Sequence, residues 1–214
     1  MGLDQSIFKR KSCRAYTNKK VSWESIGAVL EAGTFAPSAS NLQNWTFIVV
    51  TDEGKREKLA HLSMKQTWMM DAPVHIVVCN ETSKVKDYFG ERGNLYGTQN
   101  CAVAAAFMML KAEDIGLGSC WVGGFDVEGV KTLLEIPADV IPELILTLGY
   151  PDRLDKEPER MSVTFATFFD SYGKRKLDYD PFPLAKQTKK LQKMKEKGLK
   201  KLKALPGKLK KLGK

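Results

Sequence analysis

The sequence predicts an α+β fold, an α/β sandwich in which helices flank a central sheet. Three observations predict it. Short runs rich in β-branched and aromatic residues, at Trp45–Val50, Val74–Cys79, Ser119–Phe125 and Glu143–Tyr150, alternate with helical segments. One helical segment, Tyr96–Ile115, is apolar nearly all round, as a helix surrounded by protein must be. A chain of 214 residues with 43% hydrophobic composition suffices for one domain with a sizeable core.

The net charge of +9 is unevenly placed. Residues 181–214 hold 13 Lys and one acid, Glu196, so this tail carries +12 and residues 1–180 carry −3. Two segments are therefore expected: a mildly acidic domain over 1–180 and a lysine-rich tail over 181–214. Any argument about polyanions concerns the tail alone. The charge-free run Gly93–Leu110 contains Asn94, Thr98, Gln99 and Asn100, and is too polar for a membrane span. Lys9, Arg10 and Lys11 follow a short mixed segment with no apolar stretch behind them, so no secretory leader is expected and the protein is assigned to the cytoplasm. Cys13, Cys79, Cys101 and Cys120 form no C-x-x-C pair and read as reduced, mostly buried thiols.

Residues 3–10 suit a short helix. The cluster Arg10-Lys11-Ser12-Cys13-Arg14 follows. It reads either as a solvated basic turn or as an anion clamp, with guanidinium groups making bidentate contacts and Ser12 adding a hydroxyl. Ser22 is placed to cap a helix running to about Phe35, with Glu24 in its first turn and Ile26, Val29 and Leu30 on an apolar face. That helix delivers a loop, Ala36-Pro37-Ser38-Ala39-Ser40-Asn41-Leu42-Gln43, and then the Trp45 strand. Small residues let a flat ligand approach the main chain, and Asn41 and Gln43 both donate and accept. Asp52-Glu53-Gly54 reads as a turn, Lys55–Met64 as a helix, and Lys65–Trp68 as a polar approach to the second strand. Glu81–Leu95 is a polar connection with embedded aromatics, either a lid or a mobile surface segment. Gly116 and Gly118 end the long apolar helix. The Gly123-Gly124 turn exposes backbone N–H groups without side-chain obstruction. Val127–Leu134 is a short helix. His75 lies within a strand and reads as a satisfied core residue rather than a catalyst. No P-loop, G-x-G-x-x-G, metal-spaced pair or nucleophile–base arrangement is present, which agrees with a cofactor performing the chemistry.

The stretch from Ala36 resembles the signature of FMN-dependent nitroreductases, A-P-S-x-x-N-x-Q-P-W-x-F, with Ala36, Pro37, Ser38, Asn41, Gln43, Trp45 and Phe47 matching. Asn44 stands where that family usually has Pro, a departure that bears on the loop's stiffness. Arg10, Ser12 and Arg14 resemble the family's N-terminal R-R-S-x-R, and Gly116–Phe125 and the L-G-Y-P phrase ending at Pro151 are also similar to family stretches. The resemblance covers about residues 3–175. It implies a mixed central sheet wrapped by helices, a homodimer through the Tyr96–Ile115 helix, and FMN at the subunit interface. It implies an FMN-dependent oxidoreductase that passes electrons from NAD(P)H through FMN to a small oxidised substrate such as a nitroaromatic or quinone. Arg10, Lys11, Ser12, Arg14 and Arg160 would hold the FMN phosphate. Pro37, Ser38, Ala39 and Asn41 would meet the ring, as would Gly123 and Gly124, although many relatives have Glu at position 123. Gln66 would reach the ribityl chain or pyrimidine edge, or lie in a surface loop. Two other readings stay open: a flavin-binding protein without NAD(P)H turnover, and a dedicated reaction of the superfamily such as reductive dehalogenation or flavin breakdown.

In the tail, Leu191, Met194, Leu199, Leu202, Leu205, Leu209 and Leu212 recur among the lysines, interrupted by Gly198 and Pro206-Gly207. The tail reads as a solvated lysine segment, an amphipathic helix on an anionic membrane, a nucleic-acid contact, or a segment packed on a partner subunit. Membrane association through the tail is the expectation. Nucleic acid is disfavoured, because the tail has no Arg and no aromatic after Phe182.

Overall fold

The computed structural model describes residues 2–153 and 159–175. The chain divides into two compact units, Met1–Pro158 and Glu159–Lys214. The expected tail, residues 181–214, lies outside the described residues.

In the first unit, four strands form one sheet in the order β1-β2-β4-β3: β1 Trp45–Val50, β2 Val74–Glu81, β3 Gly118–Val122 and β4 Val140–Gly149. Every pairing among them is antiparallel. The mixed character expected of the sheet is confined to an isolated parallel bridge, Ser12 with Ser119. The first six residues of β4 place Pro142 inside the sheet, where a proline removes a ladder hydrogen bond. The register accommodates it: Val78 pairs with Leu144 but Cys79 with Pro142, so Glu143 bulges without a partner.

The helices are α1 Leu3–Lys9, α2 Trp23–Thr34, α3 Glu53–Leu62, α4 Thr82–Phe89, α5 Gly93–Asp114 and α6 Val127–Leu134. Their starts follow from capping chemistry. Ser22, Asp52 and Asp126 each accept a backbone N–H of the first turn through the side chain. Asp52 thereby converts the expected turn at 52–54 into a helix start. The expected connection at 81–95 is instead α4 and a 3-10 turn, anchored by buried Val85 and by Thr82 Oγ1 donating to Asp139 O.

β2 is buried from Val74 to Asn80 and serves two cores. Ile76 and Val78 face α2 and α5, where Ile26, Val29, Ala104, Ala105 and Met108 pack with Leu144, Leu146 and Leu148. Val77 and Cys79 face α3 and α6, with Leu59, Ala60, Val122, Val130 and Ile145. Each fully buried Val, Leu, Ile or Met contributes about 1.5–3 kcal/mol, which fixes the sheet between its helix layers. Among the described residues, the long helix α5 is not covered all round. Cys101, Ala104, Ala105, Met108 and Ala112 are buried, whereas Ala106 and Phe107 are exposed and Val103 and Leu110 half-buried. All four cysteines are buried thiols, and burial pushes Cys79 up to about 12.

The second unit's described residues, 159–175, carry the single turn α7 Val163–Ala166. Arg175 holds it together, donating to Thr164 O and Phe165 O and stacking 4.7 Å from the Phe168 ring.

Candidate functional site

The basic segment after α1 is stitched along the outer edge of β3. Ser12 bridges Ser119, Cys13 N–H donates to Ser119 O, and Tyr16 bridges Pro151. An extended segment alternates its side chains, so Arg10, Ser12 and Arg14 share one face while Cys13 turns inward. The R-x-S-x-R spacing is thus a strand period. Close approach requires Gly118, where a Cβ would lie 2.8 Å from both Cβ and Sγ of Cys13. Arg10 and Ser12 line a cavity of about 440 Å³ with Ile7, Met109, Leu110 and Trp121. The Arg14 guanidinium lies 5.7 Å from the Trp68 ring.

The Gly123-Gly124 turn continues β3 at this edge. A Cβ on Gly124 would meet Met64 Sδ at 3.3 Å, and one on Gly123 would meet Trp121 Nε1 at 3.3 Å. Glycine therefore serves here to keep the backbone accessible. Met64 and Lys65 both adopt left-handed backbone, φ 55° and 57°, which reverses the chain after α3 and brings Gln66 and Trp68 to the same edge. The sequence pattern did not show this reversal, because neither residue type favours it.

Two further buried titratable groups are Tyr16, close to this edge, and His75, on β2. Tyr16 Oη donates to Cys13 O at 2.7 Å and shares a hydrogen bond with Thr147, and burial holds its phenol well above the ordinary range. His75 Nε2–H donates to Met69 O at 2.9 Å. Burial lowers its pKa to about 4, so it is neutral at pH 7. The expected satisfied core histidine is satisfied on one nitrogen only, since Nδ1 has no partner.

The Pro37–Gln43 loop lies at the other edge of the sheet, ahead of β1. Ser40, Asn41 and Gln43 adopt φ of 49°, 57° and 45°. Non-glycine residues in this region are strained by roughly 1–2 kcal/mol each. Local bonds offset it: Asn41 N–H donates to Ser38 O, Gln43 N–H to Ser38 Oγ, and Gln43 Nε2 to Asn41 Oδ1. With its oxygen so engaged, exposed Asn41 turns amide N–H donors outward. Ala39 N–H donates to Asn100 Oδ1 on α5 at 3.0 Å.

The predicted residues therefore form two groups. Arg10, Lys11, Ser12, Arg14, Gln66, Gly123 and Gly124 gather at the β3 edge, and Pro37, Ser38, Ala39 and Asn41 at the β1 edge. β2 and β4 stand between, so the edges are three strand spacings apart, roughly 14 Å. Arg160 is exposed and belongs to the second unit.

The donor set suits a phosphorylated heterocycle. Cations and a hydroxyl occupy one end of the β3 edge, an open backbone turn the other, and amide donors face outward at the β1 edge.

Comparison with known proteins points the same way. The family model described as the nitroreductase family matches residues 7–68 and 61–150. The FMN reductase [NAD(P)H] of Bacillus subtilis is 31% identical over 169 residues, covering 72% of this chain and 68% of that protein. The structure of the NADPH:FMN oxidoreductase from Vibrio harveyi complexed with NAD+ superposes with a TM-score of 0.74 at 25% identity, covering 82% of this chain and 80% of that one. An FMN-dependent nitroreductase from Clostridium difficile superposes with a TM-score of 0.68 at 26% identity, covering 78% and 98%.

Proposed function

The chain belongs to the nitroreductase family, and on that premise we propose that it is an FMN-dependent oxidoreductase, taking electrons from NAD(P)H and delivering them to a small oxidised substrate. The observation that carries this reading is the bridge between Ser12 and Ser119, which sets the Arg10–Arg14 cations beside the strand leading into Gly123-Gly124.

Arg10, Ser12 and Arg14 would hold the FMN phosphate, with Lys11 adding positive charge. Gln66 would contact the ribityl chain or pyrimidine edge. Gly123 and Gly124 would leave backbone N–H groups against the ring, and Pro37, Ser38, Ala39 and Asn41 of a second copy would cover it from the other side. Bound FMN supplies the two-electron carrier between nicotinamide and substrate. The chain's own residues bind and orient it, and His75 and Tyr16, buried and neutral, exchange no proton with a ligand.

Two copies would set the β3 edge of one chain against the β1-edge loop of the other. The half-uncovered face of α5, with Val103, Ala106, Phe107 and Leu110, supplies the apolar surface for their association. The lysine-rich tail would add peripheral contact with anionic lipid through its leucine stripe and charge. No helix of the described residues is long and apolar enough to cross a membrane. Co-sedimentation with anionic vesicles, comparing the full chain with one ending near Pro183, tests the tail: loss of binding on truncation supports lipid contact, and equal pelleting contradicts it.

The function is tested by titrating apo-protein with FMN and then mixing with NADH or NADPH anaerobically. Uptake of about one FMN per chain followed by bleaching of the flavin absorbance is expected. Uptake without bleaching would identify a flavin binder that does not turn over, and no uptake would contradict the assignment.

A further inference from the structure

The buried amides behind the β1-edge loop form one chain of hydrogen bonds that runs in a single direction. Ala39 N–H donates to Asn100 Oδ1 at 3.0 Å. Asn100 Nδ2 donates to Asn44 Oδ1 at 2.7 Å, and Asn44 Nδ2 to Asn80 Oδ1 at 2.7 Å. Asn80 Nδ2 ends the chain on Glu143 Oε1 at 2.8 Å, which also accepts from Thr98 Oγ1. Asn44 is 0% exposed, Asn80 1% and Asn100 5%. The second proton of Asn44 Nδ2 reaches Gly97 O at 3.4 Å. Side chains buried this deeply are stable only when paired, so each link holds the next in orientation.

Two backbone features exist to make room for this chain. Gly97 leaves space for the Asn80 amide, since a Cβ there would lie 2.6 Å from both its nitrogen and its oxygen. The β4 bulge frees Glu143 from the ladder and allows its carboxylate to reach Asn80 and Thr98. The carboxylate sits at the acceptor end. It therefore polarises every amide in the same sense and strengthens the last bond, the one to the loop. Asn44 occupies the position at which the sequence departs from the proline of the resembling signature. A proline there could make neither side-chain bond.

We propose that Asn44, Asn80 and Glu143 are positioning residues that fix the Pro37–Asn41 loop through Asn100, so that a carboxylate on β4 sets the loop's readiness to meet the flavin ring. The inference rests on the reading that this loop covers bound FMN. None of the three touches the ligand; they act through the Ala39 N–H bond.

The test uses full-length protein with four variants, Glu143→Ala, Glu143→Gln, Asn44→Ala and the Glu143→Ala/Asn44→Ala double variant, and three measurements: the FMN dissociation constant, residue-resolved amide exchange at Ala39 in the apo-protein, and the melting temperature. Glu143→Ala should weaken FMN binding and speed Ala39 exchange by about tenfold each, the effect of losing one buried charge-assisted bond. Glu143→Gln keeps an acceptor for Asn80 and Thr98 and should restore both to within about threefold. Combining Glu143→Ala with Asn44→Ala should weaken binding no further than the worse single change, because both cut one chain. A Glu143→Ala protein that melts lower but keeps wild-type FMN affinity and Ala39 exchange would reduce the network to core structure and overturn the proposal. So would additive effects in the double variant. Should wild-type protein bind no FMN, the functional assignment fails, and Ala39 exchange alone still decides whether Glu143 controls the loop.

Discussion

The two edges of the sheet hold their polar groups by opposite means. At the β3 edge, Arg10, Ser12 and Arg14 project from an extended segment that pairs with β3 through backbone bonds, with Arg14 over the Trp68 ring. At the β1 edge, three left-handed residues shape the loop, and side chains distant in sequence, from Asn44, Asn80, Asn100 and Glu143, hold it from behind. One edge binds by charge on a simple backbone, the other by shape on a constrained one. Truncating a side chain should disable the first, whereas altering the buried support should disable the second.

The largest effect is expected from Arg10→Ala. Removing one partner of a desolvated charge pair should weaken FMN binding by roughly 2–5 kcal/mol, read by fluorescence titration, while the melting temperature of the apo-protein stays close to wild type. A change of under about 0.5 kcal/mol would remove Arg10 from the phosphate site and erase the contrast between the edges.

Acid should act through His75 of β2, which is buried and bonds Met69 O. Burial is the main cause of its lowered pKa, with Arg56 adding to it and the bond to Met69 opposing. The depressed value means that the unfolded chain takes up a proton near pH 6.5 and the native state only near about 4. The stability His75 contributes is therefore complete above pH 6.5 and is lost as pH falls toward 4, by about 3 kcal/mol. Urea unfolding across that range should show this slope in the wild type and a flatter one in His75→Phe. Parallel slopes would mean that other groups control acid stability.

Gly118→Ala should be milder and equally local. Its Cβ would press on Cys13 Cβ, part of a stitched backbone rather than the end of a flexible chain. About 1–3 kcal/mol of destabilisation is expected, with faster exchange at Cys13 N–H than at Ala39 N–H. Uniform exchange at both would show that the edges are not independent.

The smallest effect should separate backbone from side chain at the β1 edge. Asn41 sits at φ 57°, which Gly adopts freely and Ala does not. Asn41→Gly should keep apo-stability within about 0.5 kcal/mol of wild type, and Asn41→Ala should be about 1 kcal/mol worse. Equal melting temperatures would show that the left-handed geometry does not matter there.

The same contrast explains what the sequence made legible. Trp45–Val50 is a strand with the expected bounds because its β-branched run is uninterrupted, and Ser22 caps α2 through a local bond. Arg10, Ser12 and Arg14 could be recognised because an extended segment converts a two-residue spacing into one face. α3 begins two residues before its expected start because an Asp-Glu-Gly triplet serves equally as a turn or as a helix N-terminus, and Asp52 capping decided it. α4 was hidden because its anchor, Asp139 O, lies far away in sequence. The Asn44–Glu143 relay was hidden for the same reason. Asn80 and Glu143 are unremarkable in their own segments and acquire a role only when β2 and β4 pair with a bulge.

The central claim, that each flavin site joins the β3 edge of one chain to the β1 edge of another, is tested most directly by complementation. Arg10→Ala disables the first edge, and Ser38→Trp fills the open face of the second. Dimers containing one chain of each kind would have one doubly defective site and one intact site. FMN titration of such mixed dimers, purified through distinct affinity tags, should find one FMN bound per dimer with wild-type affinity, although neither parent binds it tightly. Mixed dimers with no tight site at all would contradict the account and place both edges of every site within a single chain.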